Sequence, residues 1–135
     1  MGILMGTEEW VLALKDEVNK SDEYREASLT WEDDFYFIVT KEGPITEEIC
    51  IYLDLWHGEC RDAYTVSDSS VKSPSFEVSA PLDIWKKVVS KELNPIKGIM
   101  TRQLKIKGSM LKVLKAPKSA VELVECVTRI DTEWP

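Results

Sequence analysis

The sequence predicts an α+β fold: an about five-stranded, mostly antiparallel sheet with helices packed on one face. Three observations predict it. Strand-like segments cluster between residues 34 and 80. Amphipathic helical segments cluster after residue 81. One short alternating segment, Leu104–Lys107, interrupts the helices. Strands gathered early and helices gathered late belong to segregated layers, not to the regular alternation of a parallel sheet. At 135 residues the chain is expected to form a single domain over 1–135. Such a chain buries roughly two thirds of its unfolded surface.

Thr7 is a good N-cap, with Glu8 and Glu9 in the first turn where the helix dipole favours acids. Trp10, Val11, Leu14 and Val18 follow at helical spacing, so a helix ends near Asn19 or continues, bent, to Ala27. Asp34–Lys41 is aromatic and β-branched, hence a strand, and Gly43-Pro44 ends it. Glu48–His57 alternates: Ile49, Ile51, Leu53 and Leu55 share one face, and Cys50, Tyr52, Asp54 and Trp56 the other. Gly58-Glu59 reads as a two-residue hairpin turn into Cys60–Ser67. That register sets Leu55 opposite Asp62, Leu53 opposite Tyr64 and Ile51 opposite Val66, and it brings Arg61 to Trp56 as a cation–π pair. Asp68–Ser75 is a polar loop, and Phe76–Ala80 is another strand.

Pro81 suits the first position of a helix whose stripe is Ile84, Trp85, Val88, Val89 and Leu93. Asn94-Pro95 caps and opens a short helix carrying Ile96, Ile99 and Met100. Leu104–Lys107 points Leu104 and Ile106 inward. Ser109 caps Met110–Lys115, and Pro117 opens the last helix. Ala120, Leu123, Val124, Val127 and Ile130 form the apolar face of that helix, with Glu122, Glu125 and Arg129 outward.

Charge is unevenly distributed. The chain carries −7, yet residues 86–118 hold ten basic side chains and one acid, Glu92. The remainder is therefore strongly acidic, which argues against general nucleic-acid binding. No apolar run approaches the ~20 residues of a membrane span. The N-terminal MGILMG lacks the basic start of a signal peptide. A cytoplasmic location is expected. Three cysteines, Cys50, Cys60 and Cys126, form no CxxC pair and are expected as reduced thiols.

The order of these elements, and the residues of the second half, resemble the sterol carrier protein 2 (SCP-2-like) family of lipid-binding domains. The resemblance runs from about Trp10 to Val127 and is most specific over 76–114. FEVSAPLDIWKKVVSKELNP resembles the family's strand, helix and following proline. GIMTRQLKIKGSMLKVL resembles its signature A-F-M-x-G-K-L-K-I-x-G-D/N-M through Ile99-Met100, Leu104-Lys105-Ile106, Gly108 and Met110. Gly98 stands where the family has Ala, and Ser109 where it has Asp or Asn. Gln103 is taken to stand at the signature's first Gly, a position where a side chain would be costly. The resemblance implies a five-stranded sheet with helices over one face and an apolar tunnel between them. It implies a hydrophobic ligand: a fatty acid, an acyl-CoA, a sterol or another isoprenoid lipid.

The residues support a compatible reading of their own. Met110, Leu111, Val113 and Leu114 cover more than half the circumference of a short helix that also carries Lys112 and Lys115. Such a helix has two apolar surfaces to satisfy, and methionines suit sites of variable shape. The plain alternative is that these side chains fill the core. The candidate ligand-binding residues are Trp85, Met100, Met110, Leu111, Leu114, Leu123 and Val127. Lys97, Arg102, Lys105, Lys107, Lys112 and Lys115 are candidates for contact with an anionic headgroup or, transiently, a membrane surface. Burial gains about 0.8 kcal/mol per CH₂, on the order of 12 kcal/mol for a chain of some fifteen methylenes relative to water. Relative to a bilayer it gains almost nothing, which suits pick-up and release.

No catalytic residue, metal ligand set or cofactor is expected. His57 and Cys60 could face each other across the hairpin, but a dyad also needs an orienting group and an oxyanion hole. A solvated turn histidine is the simpler reading. Asp62 shares the proposed face of Leu55, so it belongs at the sheet edge or at a pocket mouth. Two other functions fit the pattern. One is an interaction module with a basic, apolar helical face. The other is an accessory domain of an acyl-thioester enzyme, which would need catalytic groups from another chain.

Overall fold

In the computed structural model, which describes residues 2–68, 70 and 72–135, the chain runs β1 (Ile3–Leu4), α1 (Glu8–Lys20), α2 (Asp22–Ala27), β2 (Asp34–Val39), β3 (Ile49–Trp56), β4 (Glu59–Val66) and β5 (Phe76–Ala80). It continues through α3 (Leu82–Val89), α4 (Pro95–Met100), β6 (Lys105–Lys107), α5 (Met110–Leu114), α6 (Pro117–Thr128) and β7 (Thr132–Glu133). Five strands form one sheet in the order β4-β3-β2-β5-β6. Every pairing in it is antiparallel except β2 with β5, where Phe35 pairs with Phe76 and Val39 with Ala80. The predicted class and architecture hold. The short parallel pair β1–β7, which ties Ile3 to Thr132, carried no sequence signal.

The capping residues act as read. Thr7 accepts the Trp10 amide, Asn94 those of Ile96 and Lys97, and Ser109 that of Lys112. The first helix breaks at Ser21, which ends α1 and caps α2 through the Tyr24 amide at 3.0 Å. Pro81 sits at the N-cap, one place before the expected position. The fourth and fifth strands are separated by two others, and Lys72 in the connection between them bonds the Tyr36 hydroxyl on the sheet face away from the helices. Of the polar loop expected there, Ser69 and Val71 lie outside the described residues.

The hairpin register differs from the expected one. The two turn residues are His57 and Gly58, with φ of 50° and 82°. Positive φ at both central positions is the type I′ pattern that matches strand twist. Gly58 is also required by space, because a Cβ there would lie 2.7 Å from the Arg25 backbone. A bulge between Asp54 and Leu55 then adds Arg61 to the fourth strand. Leu55 therefore pairs with Cys60, Leu53 with Ala63 and Ile51 with Thr65. Arg61 still reaches Trp56, its guanidinium 4.4 Å from the ring centroid, and forks onto both oxygens of Asp54 at 3.1 Å. Asp62 lies exposed at the sheet edge.

The signature's left-handed turn is at Arg102, with φ of 64°, and not at Gln103. Counting back from Gly108 and Leu104 puts the family's Gly at Arg102, which corrects the expectation. Gly108 has φ of 122°, and a Cβ there would lie 2.6 Å from Phe76 and from the Ser75 carbonyl.

α1 covers the exposed edge of β4. Thr65 donates from its amide and hydroxyl to Glu8 at 2.6 and 2.8 Å, and these bonds hold the Glu8 carboxyl below its usual pKa. At the other end the Asn19 side chain accepts the Cys60 amide at 2.8 Å and donates to the Cys60 carbonyl at 3.0 Å. A side chain thus stands in for a neighbouring strand and blunts the edge. α6 lies at the centre of the helical layer, packed against α1, α2, α3, α4 and α5.

Candidate functional site

Two cavities lie between the sheet and the helices. The first, about 100 Å³, runs from Met5, Trp10 and Trp134 near the chain ends to Phe37 on β2 and Leu123 on α6. The second, about 90 Å³, continues past Phe37 to Trp31, Ile99, Leu104 and Val113. The two share Phe37, Trp85, Val88, Leu123 and Val124 as a common wall. Trp85 is fixed within that wall. Its indole N–H donates to the Ile38 carbonyl at 2.9 Å, and its ring meets Phe37 edge-on with centroids 6.2 Å apart. Native interiors hold few voids larger than a water molecule.

Why the layers stand apart is visible in the residues. Strand alternation puts Phe35, Phe37 and Val39 of β2 and Ile51, Leu53 and Leu55 of β3 on the helix side. Phe35 and Phe37 stack at 5.1 Å, and Phe35 stacks again on Phe76 and Trp31. The facing helix offers only Ala120, Leu123, Val124 and Val127, which do not fill the space above them. Leu123, Val124 and Val127 are accordingly only half-buried, although they sit between two layers.

Of the sequence-derived candidates, Trp85, Leu123 and Val127 line this space. Met100, Met110 and Leu111 are 66%, 40% and 63% exposed, and they line neither cavity; nor does half-buried Leu114. They flank the second cavity, because Ile99 and Val113 on the same short helices do line it. Lys97, Arg102, Lys105, Lys107, Lys112 and Lys115 are all exposed. Lys107 pairs with Glu77, and Lys112 pairs with Asp33 and lies over the Trp31 ring. Phe37, Val88 and Val124 were missed as wall residues, although helical periodicity already put Val88 and Val124 on apolar faces.

One polar group enters the wall. Tyr24 and Ser119 line the second cavity, and Ser119 shares a hydrogen bond of 2.6 Å with Ser28. Burial pushes the Tyr24 phenol up to about 12, and the neighbouring Ser28 and Ser119 hydroxyls oppose the rise. The hairpin pair is not brought together. His57 is exposed, bonded to Glu32 and stacked on Trp56. The Cys60 thiol is buried, bonded to the Asp62 carbonyl at 3.3 Å and pushed up to about 12 by burial. A thiol held in that range is a poor nucleophile near neutral pH. Among the described residues no group of three or more His, Cys, Asp or Glu could hold a metal ion, and no helix is long and apolar enough to cross a membrane.

A five-stranded sheet roofed on one side by helices, with apolar space between the layers, defines an α+β fold of segregated layers. The model of the SCP-2 sterol transfer family matches residues 12–118, and the chain belongs to that family. It is similar to a crystal structure of sterol carrier protein 2, with 30% identity and a TM-score of 0.83 over 93% of this chain and 98% of that one. It is similar also to a conserved hypothetical protein of Thermus thermophilus described as possibly a sterol carrier protein, with 29% identity and a TM-score of 0.84 over 98% and 95%. Sterol carrier protein 2 of Yarrowia lipolytica shares the fold at 17% identity, with a TM-score of 0.58 over 86% and 87%. No curated protein matches the chain.

Proposed function

We propose that this chain, as one domain over residues 1–135, is a cytoplasmic, non-enzymatic carrier that holds an apolar lipid between its sheet and its helices. The observation that carries the reading is the pair of apolar cavities meeting at Phe37 and Trp85. Each is well below the roughly 300–1,000 Å³ of an ordinary ligand site. Occupation by a fatty acid, an acyl-CoA, a sterol or another isoprenoid lipid therefore requires α6 and α3 to lift and the shared wall to open, merging the two. Trp85, Leu123 and Val127 would then contact the ligand directly. Met100, Met110, Leu111 and Leu114 would contact it during entry, on the helices around the second cavity.

The exposed cations support a role at anionic membranes. Lys97, Arg102, Lys105 and Lys115 make no ion pair among the described residues. Each is worth ~1 kcal/mol near an anionic surface. The same exposed methionines, leucine and cations favour the second reading, an interaction module for an acidic partner. Mass spectrometry of an organic extract of the purified protein separates the two. The carrier reading expects hydrophobic species at near-stoichiometric amounts, displaced by added lipid. A clean extract, together with no saturable change in tryptophan fluorescence on lipid addition, would leave the interaction module.

A further inference from the structure

We propose that α5 is a lid over the second cavity, latched shut by Lys112 on Asp33 and Trp31, and that ligand enters where this lid opens. The inference rests on the lipid-holding reading above and adds a gate to it. Val113 of α5 is 7% exposed and lines the cavity, whereas Leu111 of the same helix is 63% exposed. One five-residue helix therefore stands between the cavity and solvent at this end. Its backbone bonds stay local. The Val113 amide bonds the Ser109 carbonyl, the Lys115 amide that of Leu111 and the Ala116 amide that of Val113. Among the described residues, the one hydrogen bond or ion pair from α5 to a residue outside 109–116 is that of Lys112 to Asp33.

That contact has the build of a latch. Its fixed side is Trp31, which is buried, lines the same cavity and packs on Phe35 and Phe76 with ring centroids 5.7 and 5.6 Å away. The Trp31 carbonyl accepts the His57 amide at 2.7 Å, and the Trp31 indole N–H donates to the Asp33 carbonyl at 3.0 Å. Tryptophan and aspartate are thus fastened to the sheet together. The Asp33 side chain is only 16% exposed, and Lys112 is its ion-pair partner. A shielded carboxylate favours the closed position, where the ammonium offsets its lost hydration. The same ammonium lies 5.4 Å from the centre of the Trp31 ring, a cation–π contact. The moving side can turn at both ends. Gly108 precedes the lid with φ of 122°, and Lys115 and Ala116 separate it from α6. An ion pair at the surface is a weak tie, so the lid opens readily. Opening here admits a chain to the second cavity before α3 and α6 part to widen it.

The test is stopped-flow mixing of the full chain with 1-bromooctane, an uncharged chain whose bromine quenches tryptophan fluorescence. A latch sets how often the lid opens, in the empty and the filled protein alike. Lys112→Met should therefore raise the association and dissociation rates together, about fivefold, and leave Kd unchanged. Asp33→Asn should act in the same direction. The double variant should be no faster than Lys112→Met alone, because both changes undo one contact. Lys20→Met, which breaks the exposed pair with Asp16 on α1, should change neither rate. A change in Kd with an unchanged association rate overturns the proposal, because Lys112 would then belong to the cavity wall. Effects that multiply in the double variant, or an equal acceleration by Lys20→Met, overturn it as well. Saturable quenching with parent rates in both Lys112→Met and Asp33→Asn removes the lid and leaves the lipid-holding reading standing. If 1-bromooctane quenches neither the parent nor any variant, the lipid-holding reading itself fails.

Discussion

The two faces of the sheet are built from the same strands, yet they are finished differently. The outer face is closed by Tyr36, Ile38, Cys50 and Tyr52, all at least nine-tenths buried, with Tyr64 and Val66 packed beside them. Its polar tips are satisfied. The Tyr36 hydroxyl accepts the Lys72 amide at 3.0 Å and donates to the Lys72 carbonyl at 3.2 Å, and the Tyr52 hydroxyl donates to Asp34 at 2.9 Å. The Lys72 ammonium lies 4.6 Å from the centre of the Tyr52 ring. The inner face has more apolar bulk and worse closure, with two cavities where the helices meet it. A small loop seals one side, while a whole layer of helices leaves the other loose. The looseness is thus not for want of material.

Truncation gives the largest contrast. Tyr36→Ala should cost about 3–5 kcal/mol, because a closed, fully bonded site loses an aromatic ring and strands its partners. Leu123→Ala should cost about 2 kcal/mol, the low end for such a change, because Leu123 already borders open space. Urea denaturation of both variants gives the comparison. Equal losses would mean that the inner layer is as tightly packed as the outer one.

The thiols offer a second contrast, in kinetics. Burial raises Cys50 on the outer face and Cys60 on the inner face alike, from the ordinary 9.0 to about 12. A folded-state value above the unfolded one contributes stability that is complete below about pH 9 and declines as the pH climbs towards 12. Urea midpoints should therefore fall over that alkaline range, and Cys50→Ala should make the fall shallower. Both thiols are buried, so a reagent reaches either of them only when the structure opens, and their labelling rates report that opening. Cys60 should react with a small thiol reagent about tenfold faster than Cys50 at pH 8, and added lipid should slow it. Equal rates insensitive to lipid would mean that the helices do not lift.

Much of this layering was legible in the sequence. Period-two alternation in Glu48–His57 assigned Ile51, Leu53 and Leu55 to one side and Cys50 and Tyr52 to the other, and the structure keeps that division. The caps at Thr7, Asn94 and Ser109 fixed the helix starts, because one side-chain oxygen on free amides is a local feature. Registers were less legible. The turn moved one place to His57-Gly58, since a histidine accepted positive φ, and a bulge at Arg61 then shifted the pairs by one. The site was legible only in part. Trp85, Leu123 and Val127 lie where helical periodicity put them. Whether a gap opens beneath them depends on how far apart two layers settle, and no local pattern encodes that distance. Met100 and Leu111 show the converse: apolar character alone does not say which of two apolar surfaces faces inward. The Tyr24–Ser28–Ser119 cluster joins residues 91 positions apart, which no spacing reveals.

The smallest change in stability provides the sharpest comparison. Val124 borders both cavities, so Val124→Phe would place a ring into space that is already open. Extra methylenes in a packed core cost about 1–3 kcal/mol, because neighbours must leave their rotamers. Beside a cavity the same atoms gain contacts instead, and the two effects should nearly cancel, leaving stability within about 1 kcal/mol of the parent. Ile38→Phe on the outer face has no such space and should incur the full overpacking cost of about 1–3 kcal/mol. Ligand binding should show the opposite order: Val124→Phe should reduce bound lipid at least tenfold, and Ile38→Phe should leave it unchanged after correction for the folded fraction. If Val124→Phe keeps full lipid occupancy, the ligand does not pass through the shared wall, and the two cavities do not merge into one site.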